Sequence, residues 1–102
     1  MAPNQEFVFK QKNSTHGIVM IVTDKDIIGK KFENDKLQLD LSKEFYQGTE
    51  KSKEEILKFL EKAYIVHFTG ERSVKIGLSI NIIHKENIIT IDSIPHAEAY
   101  LG

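Results

Sequence analysis

Histidine is the side chain in this sequence most able to bind a metal or transfer a proton near neutral pH. The chain has no cysteine, which excludes a disulfide, a thiolate nucleophile and any cysteine-ligated metal. The histidines are His16, His67, His84 and His96. None of them has a second histidine at the short spacings typical of zinc motifs. The spacing therefore predicts no metal site and no cofactor.

His96 is the histidine whose position most suggests a function. It follows Pro95 at the end of a predicted strand, where loops meet and binding sites collect. Asp92 precedes it by four residues, and Asp24 and Asp26 could approach it in space. These residues could form a small acid–base or ligand site, or the ring could simply bind a carbonyl and fix the tail. The other three histidines are expected in a hairpin loop, at a helix end and in a polar turn.

The sequence contains none of the motifs that identify common catalytic sites. The nucleophile elbow of serine hydrolases and the glycine-rich phosphate loops are both missing from it. We therefore predict no catalytic residues, and the sequence does not favour an enzyme.

A second set of residues could contact an anion or an unpaired base. Arg72 follows Gly70 at the start of a predicted helix, whose free N–H groups could receive an oxyanion. Aromatic rings can stack on bases, and lysines can neutralise phosphates. Alternatively, Arg72 pairs with a carboxylate and the rings belong to the core. The candidate contact residues are Lys30, Lys31, Phe45, Tyr46, Arg72 and His96.

Hydrophobic periodicity indicates the elements that must position these side chains. Strands are expected near 7–9, 17–23, 37–41 and 88–91, with 17–23 central because it is apolar on both faces. A capping box predicts a helix from Ser52 to about residue 66, and a second helix is expected over 71–78.

Two short segments are expected to connect or follow these elements. Residues 24–29 read as one helical turn, capped by Asp24 and ended by Gly29, and residues 30–35 read as a polar turn. Pro95 is expected to end the last strand, leaving 96–102 as a tail.

Together these elements predict one α+β domain over residues 1–102. The expected order is β-β-β-α-α-β, a small, mostly antiparallel sheet of about four strands with two helices on one face.

Composition narrows the class of partner. The chain has 102 residues, 28% of them charged, and a net charge of −1. Thirteen of its 14 basic residues are lysine, which argues against arginine-mediated reading of DNA bases.

No apolar run is long enough for a membrane span and no secretory signal is visible, so we expect a cytoplasmic protein. It is expected to be a monomer or a homodimer formed through strand 17–23 or a leucine-rich edge.

Several short segments, taken in order, are similar to one family. They are Asp24 with Ile28-Gly29-Lys30-Lys31-Phe32, Phe45-Tyr46-x-Gly48, Ala63, Gly70-Glu71 and Ile94-Pro95-His96-Ala97. This set resembles the archaeal domain-of-unknown-function 424 family over essentially the whole chain. His67 stands where that family more often has Asn. The resemblance implies a small archaeal, cytoplasmic α+β protein with a loose connection to translation.

The resemblance also marks positions to carry over. The glycines Gly29, Gly48 and Gly70, with Pro95, are expected to set the backbone, and Phe45, Tyr46 and His96 are expected to form a contact surface. Lys30 is a further position to carry over. The prediction is a non-catalytic binding or adapter protein of the ribosome or another RNA–protein complex. The alternative is a small enzyme or ligand-binding protein that uses His96 with a nearby carboxylate.

Overall fold

A computed structural model describes residues 5–101 of the chain. The strands are β1 Phe7–Ser14, β2 Gly17–Asp24, β3 Lys31–Glu33, β4 Gln38–Asp40, β5 Thr49–Lys51, β6 Ala63–Thr69, β7 Ile89–Ile91 and β8 Ile94–Tyr100. The helices are α1 Lys53–Leu60 and α2 Glu71–Ser79, with 3₁₀ turns at Lys25–Ile27, Glu44–Tyr46 and Lys85–Asn87.

Six of the strands form one mixed sheet, and the remaining two form a separate hairpin. The order in the large sheet is β5-β1-β2-β6-β8-β7, and β3 pairs with β4. All neighbours are antiparallel except β2 and β6, which are parallel. The predicted central strand is confirmed, because β2 lies inside the sheet with Met20 through Thr23 buried.

Both helices cover the same face of the large sheet. Ile56 and Leu60 of α1 and Val74 of α2 pack against alternate residues of the strands, such as Val22 and Phe68. The capping box at the start of α1 is confirmed. Ser52 Oγ accepts from Glu55 N at 3.3 Å, and Ser52 N donates to Glu55 Oε1 at 3.0 Å.

The opposite face of the sheet carries a second, smaller core. Leu39 and Leu41 of the hairpin segment pack with Ile91, and Phe32 and Tyr46 lie at their margin. The β3–β4 hairpin and the 3₁₀ turn at Glu44–Tyr46 therefore form a partial third layer.

The predicted four-strand sheet and its element order are wrong. The protein combines α and β structure, but its large sheet has six strands and a strand separates its two helices. Two short strands, β3 and β5, were missed, and β3 occupies the expected polar turn. Three residues are too few to show alternation, so their pairing partners decide their structure.

The first helix is shorter than predicted, and this changes the topology. It ends at Leu60, and the segment expected to finish it becomes β6, which carries His67 in its middle rather than at a helix end. The run Tyr64 to Thr69 is rich in aromatic and β-branched residues, which pack well on a sheet and lose rotamer freedom in a helix.

The expected tail is also a strand. β8 lies between β6 and β7, with Ala97 and Ala99 buried on the helix side. Pro95 does not end the strand: it is the second residue of β8, which continues to Tyr100. Its carbonyl still accepts from Gly70 N at 2.9 Å. Within residues 5–101, no helix is long and apolar enough to cross a bilayer.

Candidate functional site

Two histidines and a glutamate meet on the sheet face opposite the helices. In the antiparallel register of β6 and β8, His67 lies opposite Glu98 and Thr69 lies opposite His96. Because side chains alternate along a strand, all four point to the same face. The residues before and between them, such as Phe68 and Ala97, point into the main core. We call His67, His96 and Glu98 the two-histidine cluster.

The side chains of the two-histidine cluster are in close contact. His67 Nδ1 lies 3.3 Å from Glu98 Oε1, and the two imidazole centroids are 6.2 Å apart. One ligand atom from each of the three residues lies within 4.8 Å of the others. Thr69 Oγ1, which is fully buried, is 2.8 Å from His96 Nδ1. This hydrogen bond fixes the orientation of the His96 ring.

The surroundings favour uncharged imidazoles at both positions. Burial lowers the pKa of His67, and Lys12 lowers it further, while Glu98 opposes them. Burial also lowers the pKa of His96, with a smaller contribution from His67 against an opposing one from Glu98. Both rings are therefore neutral near pH 7 and keep a nitrogen lone pair available.

Two aromatic rings from the 3₁₀ turn at Glu44–Tyr46 border the cluster. Phe45 meets His67 edge to face with centroids 5.3 Å apart, and it meets Tyr46 in the same way at 4.9 Å. Lys12 Nζ lies 5.5 Å from the Phe45 centroid. Burial raises the pKa of Tyr46, and the negative charges of Glu98 and Asp40 raise it further.

Three of the six predicted contact residues thus come together, and three do not. Phe45, Tyr46 and His96 are half-buried neighbours on one face, joined through His67. Lys30 and Lys31 are exposed on the hairpin segment that packs beside Tyr46. Within residues 5–101, no hydrogen bond, ion pair or cation–π contact links either lysine side chain to these rings.

Arg72 belongs to a different cluster at the start of α2. Its guanidinium lies 3.0 Å from Asp26 and 4.0 Å from Asp24. The Asp24 carboxylate accepts from Arg72 N at 3.0 Å, from Ser73 N at 2.8 Å and from Ser73 Oγ at 2.7 Å. The position expected for an external anion is therefore filled by the protein's own Asp24. Asp24 makes no side-chain cap to the 3₁₀ turn it was predicted to cap.

Sequence reasoning missed His67 and Glu98 as parts of a site. They are 31 positions apart, so no short motif contains both. The sequence patterns did not indicate that residues 63–69 and 94–100 are strands. Only the pairing of β6 with β8 brings His67 and Glu98 together. Glu98, rather than Asp92, Asp24 or Asp26, is the carboxylate in the cluster with His96.

The sequence matches the family described as "Protein of unknown function (DUF424)" over residues 12–101. The chain belongs to this family. No curated relative matches the sequence. The fold is similar to the crystal structure of an uncharacterized conserved protein from Methanopyrus kandleri, with a TM-score of 0.78 and 16% identity over 92% of this chain and 90% of that one. At this identity the likeness shows a shared fold.

Among the positions that suggested this family, the glycines and the proline have structural roles. Gly70 has a φ of +105°, and a Cβ there would overlap the Asp24 carboxylate. Gly48 passes so close to the Phe9 carbonyl that it has no space for a side chain, while Gly29 has a φ of +86° in open space. Pro95 is tied to Gly70 through its carbonyl.

His96 and Glu98 of the two-histidine cluster line a cavity at the edge of the sheet. A cavity of about 290 Å³ is lined by Asn87, Ile89, His96, Ala97, Glu98 and Tyr100. A neutral imidazole can accept a proton or bind a cation, and a carboxylate can orient it or share the ligand. Thr69 cannot act as a nucleophile toward a substrate, because it is fully buried.

Proposed function

We propose that this protein is a non-catalytic binding protein that docks on the ribosome or another RNA–protein complex. The observation that supports this is the convergence of Phe45, Tyr46 and His96, with His67, on one sheet face. We call these four residues the ring face. The translation apparatus is the partner suggested by the family resemblance.

Lysines flank the ring face and provide the charge that a nucleic acid needs. Lys12 Nζ lies over Phe45, and Lys10 Nζ is fixed at 2.6 Å from the Glu44 carbonyl beside it. A net charge of −1 leaves no excess for coating RNA. Contact is therefore local, with two or three phosphates and one stacked base, and its salt dependence is shallow.

Co-sedimentation with archaeal ribosomal subunits, repeated over a range of salt concentrations, tests this proposal. Phe45→Ala should weaken binding by about 1–3 kcal/mol if one base stacks on the ring. Lys12→Ala should reduce the salt slope by about one unit. Both measurements are made in excess chelator, so that bound metal does not contribute.

The chain offers a matched control on the opposite side of the sheet. Phe59 of α1 is partly exposed, and Lys51 Nζ lies 5.3 Å from its centroid, as Lys12 does over Phe45. Phe59→Ala and Lys51→Ala should leave binding unchanged. Absence of the protein from every ribosomal fraction at low salt would refute the proposal. If the Phe59 and Lys51 variants lose as much binding as the Phe45 and Lys12 variants, the ring face is not the binding surface.

A second candidate function, small-ligand binding with or without catalysis, is favoured by one observation. His96 lies beside a carboxylate, Glu98, and both line the 290 Å³ cavity at the sheet edge. The cavity suits a small ligand that the His96 imidazole and the Glu98 carboxylate can hold.

A further inference from the structure

The two-histidine cluster has the chemical composition of a divalent metal site. Two imidazoles and one carboxylate are the protein ligands of several catalytic zinc sites and of the facial triads that hold iron. Within the part of the chain that the structure describes, His67, His96 and Glu98 are the group of three potential ligands that lies close enough to share one ion. We propose that this cluster binds one divalent first-row transition cation, with Zn²⁺ as the reference ion.

The spacing of the ligand atoms supports this. Ligands at about 2.0–2.1 Å from a tetrahedral ion lie roughly 3.3 Å from one another. His67 Nδ1 and Glu98 Oε1 already lie 3.3 Å apart. Across the whole cluster, one ligand atom from each of the three residues lies within 4.8 Å of the other two. Closing separations of up to 4.8 Å to the ideal spacing requires side-chain movements of roughly 1.5 Å.

A buried hydroxyl orients the third ligand. Thr69 Oγ1 lies 2.8 Å from His96 Nδ1. In the tautomer in which Nδ1–H donates to this hydroxyl, Nε2 keeps its lone pair for the metal. Metal-binding histidines commonly use their second nitrogen in this way, because it fixes the tautomer and the ring orientation.

The burial of the three side chains also fits a site that exchanges ligands with solvent. His67 is largely buried, whereas the Glu98 side chain is 42% exposed and can adjust its position. His96 and Glu98 line the cavity at the edge of β8. Three protein ligands leave at least one coordination position, which water or a small ligand from the cavity can fill.

Zinc titration of the chelator-treated full-length protein tests the proposal without any ribosome. Calorimetry should show one Zn²⁺ bound per chain, and NMR should show the imidazole signals of His67 and His96 shifting together. Glu98→Gln should weaken binding at least tenfold. His96→Ala and His67→Ala should abolish it, and Co²⁺ should give a visible absorption band that these variants lose.

The matched control is His84→Ala, which removes an exposed histidine from a polar turn and should bind Zn²⁺ like the unmodified protein. Glu98→Gln decides the matter if a histidine variant does not fold, because the exposed Glu98 side chain is not needed for the core. Failure of the unmodified protein to bind Zn²⁺ would overturn the proposal. So would binding that Glu98→Gln leaves intact, or binding that depends on His84. None of these outcomes bears on ribosome binding, which is measured in chelator.

Discussion

At the scale of single residues, the environment of Tyr46 leads to a pH prediction. Burial, assisted by the charges of Glu98 and Asp40, raises the pKa of this phenol above its usual value of 10.0. The neutral phenol is therefore favoured in the folded state, and this stabilisation is fully present below pH 10. It is lost as the pH rises through the higher, folded-state pKa.

Ultraviolet titration of tyrosinate checks this. Tyr46→Phe should remove a transition with a midpoint above 10, and Glu98→Gln should move that transition toward lower pH by removing a negative charge. The stability of the unmodified protein relative to Tyr46→Phe should fall in the same alkaline range. A missing transition centred at or below 10 would contradict the assignment.

At the scale of secondary-structure elements, one aspartate connects β2 to the start of α2. Asp24 is buried, and its carboxylate accepts from two backbone N–H groups and one hydroxyl at that helix end. Asp24→Ala should lower the free energy of unfolding by about 2–4 kcal/mol, because buried donors lose their acceptor and the helix loses a favourable charge. Chemical denaturation measures this loss.

Asp26→Ala is the control for that variant. Asp26 pairs with Arg72 at 3.0 Å, but its side chain is 67% exposed. An exposed ion pair contributes less than about 1 kcal/mol, so this variant should be nearly neutral. Similar losses in both variants would mean that Arg72, rather than the helix N–H groups, is the important partner of Asp24.

The elements that the sequence predicted well are those with a local cause. The capping box at Ser52 and the apolar run in β2 each depend on residues close together in the chain, and the structure has both. β6 and β8 depend on each other, since each is completed by pairing with the other. The candidate site follows the same rule. His96 stood out because of its neighbour Pro95, but His67 and Glu98 become part of a site only through pairing.

At the scale of the whole molecule, residues 94–100 are an inner strand of the large sheet. β8 lies between β6 and β7, so it pairs with two strands, and it carries two of the three residues of the two-histidine cluster. A segment that follows a proline and ends the chain looks like a tail in the sequence. Its alternation of Ala97 and Ala99 with polar residues is the signal that indicates a strand with one buried face.

A charge placed on either face of β8 distinguishes a strand from a tail. Ala97 is 2% exposed beneath the helices, whereas Tyr100 is 71% exposed. Ala97→Asp buries an unpaired carboxylate, which costs several kcal/mol, against a total stability of about 5–15 kcal/mol for a domain of this size. Circular dichroism should therefore show Ala97→Asp largely unfolded or melting far lower, and Tyr100→Asp close to the unmodified protein. Equal tolerance of both charges would mean that β8 does not pack in solution, and the cluster built on His96 and Glu98 would not form either.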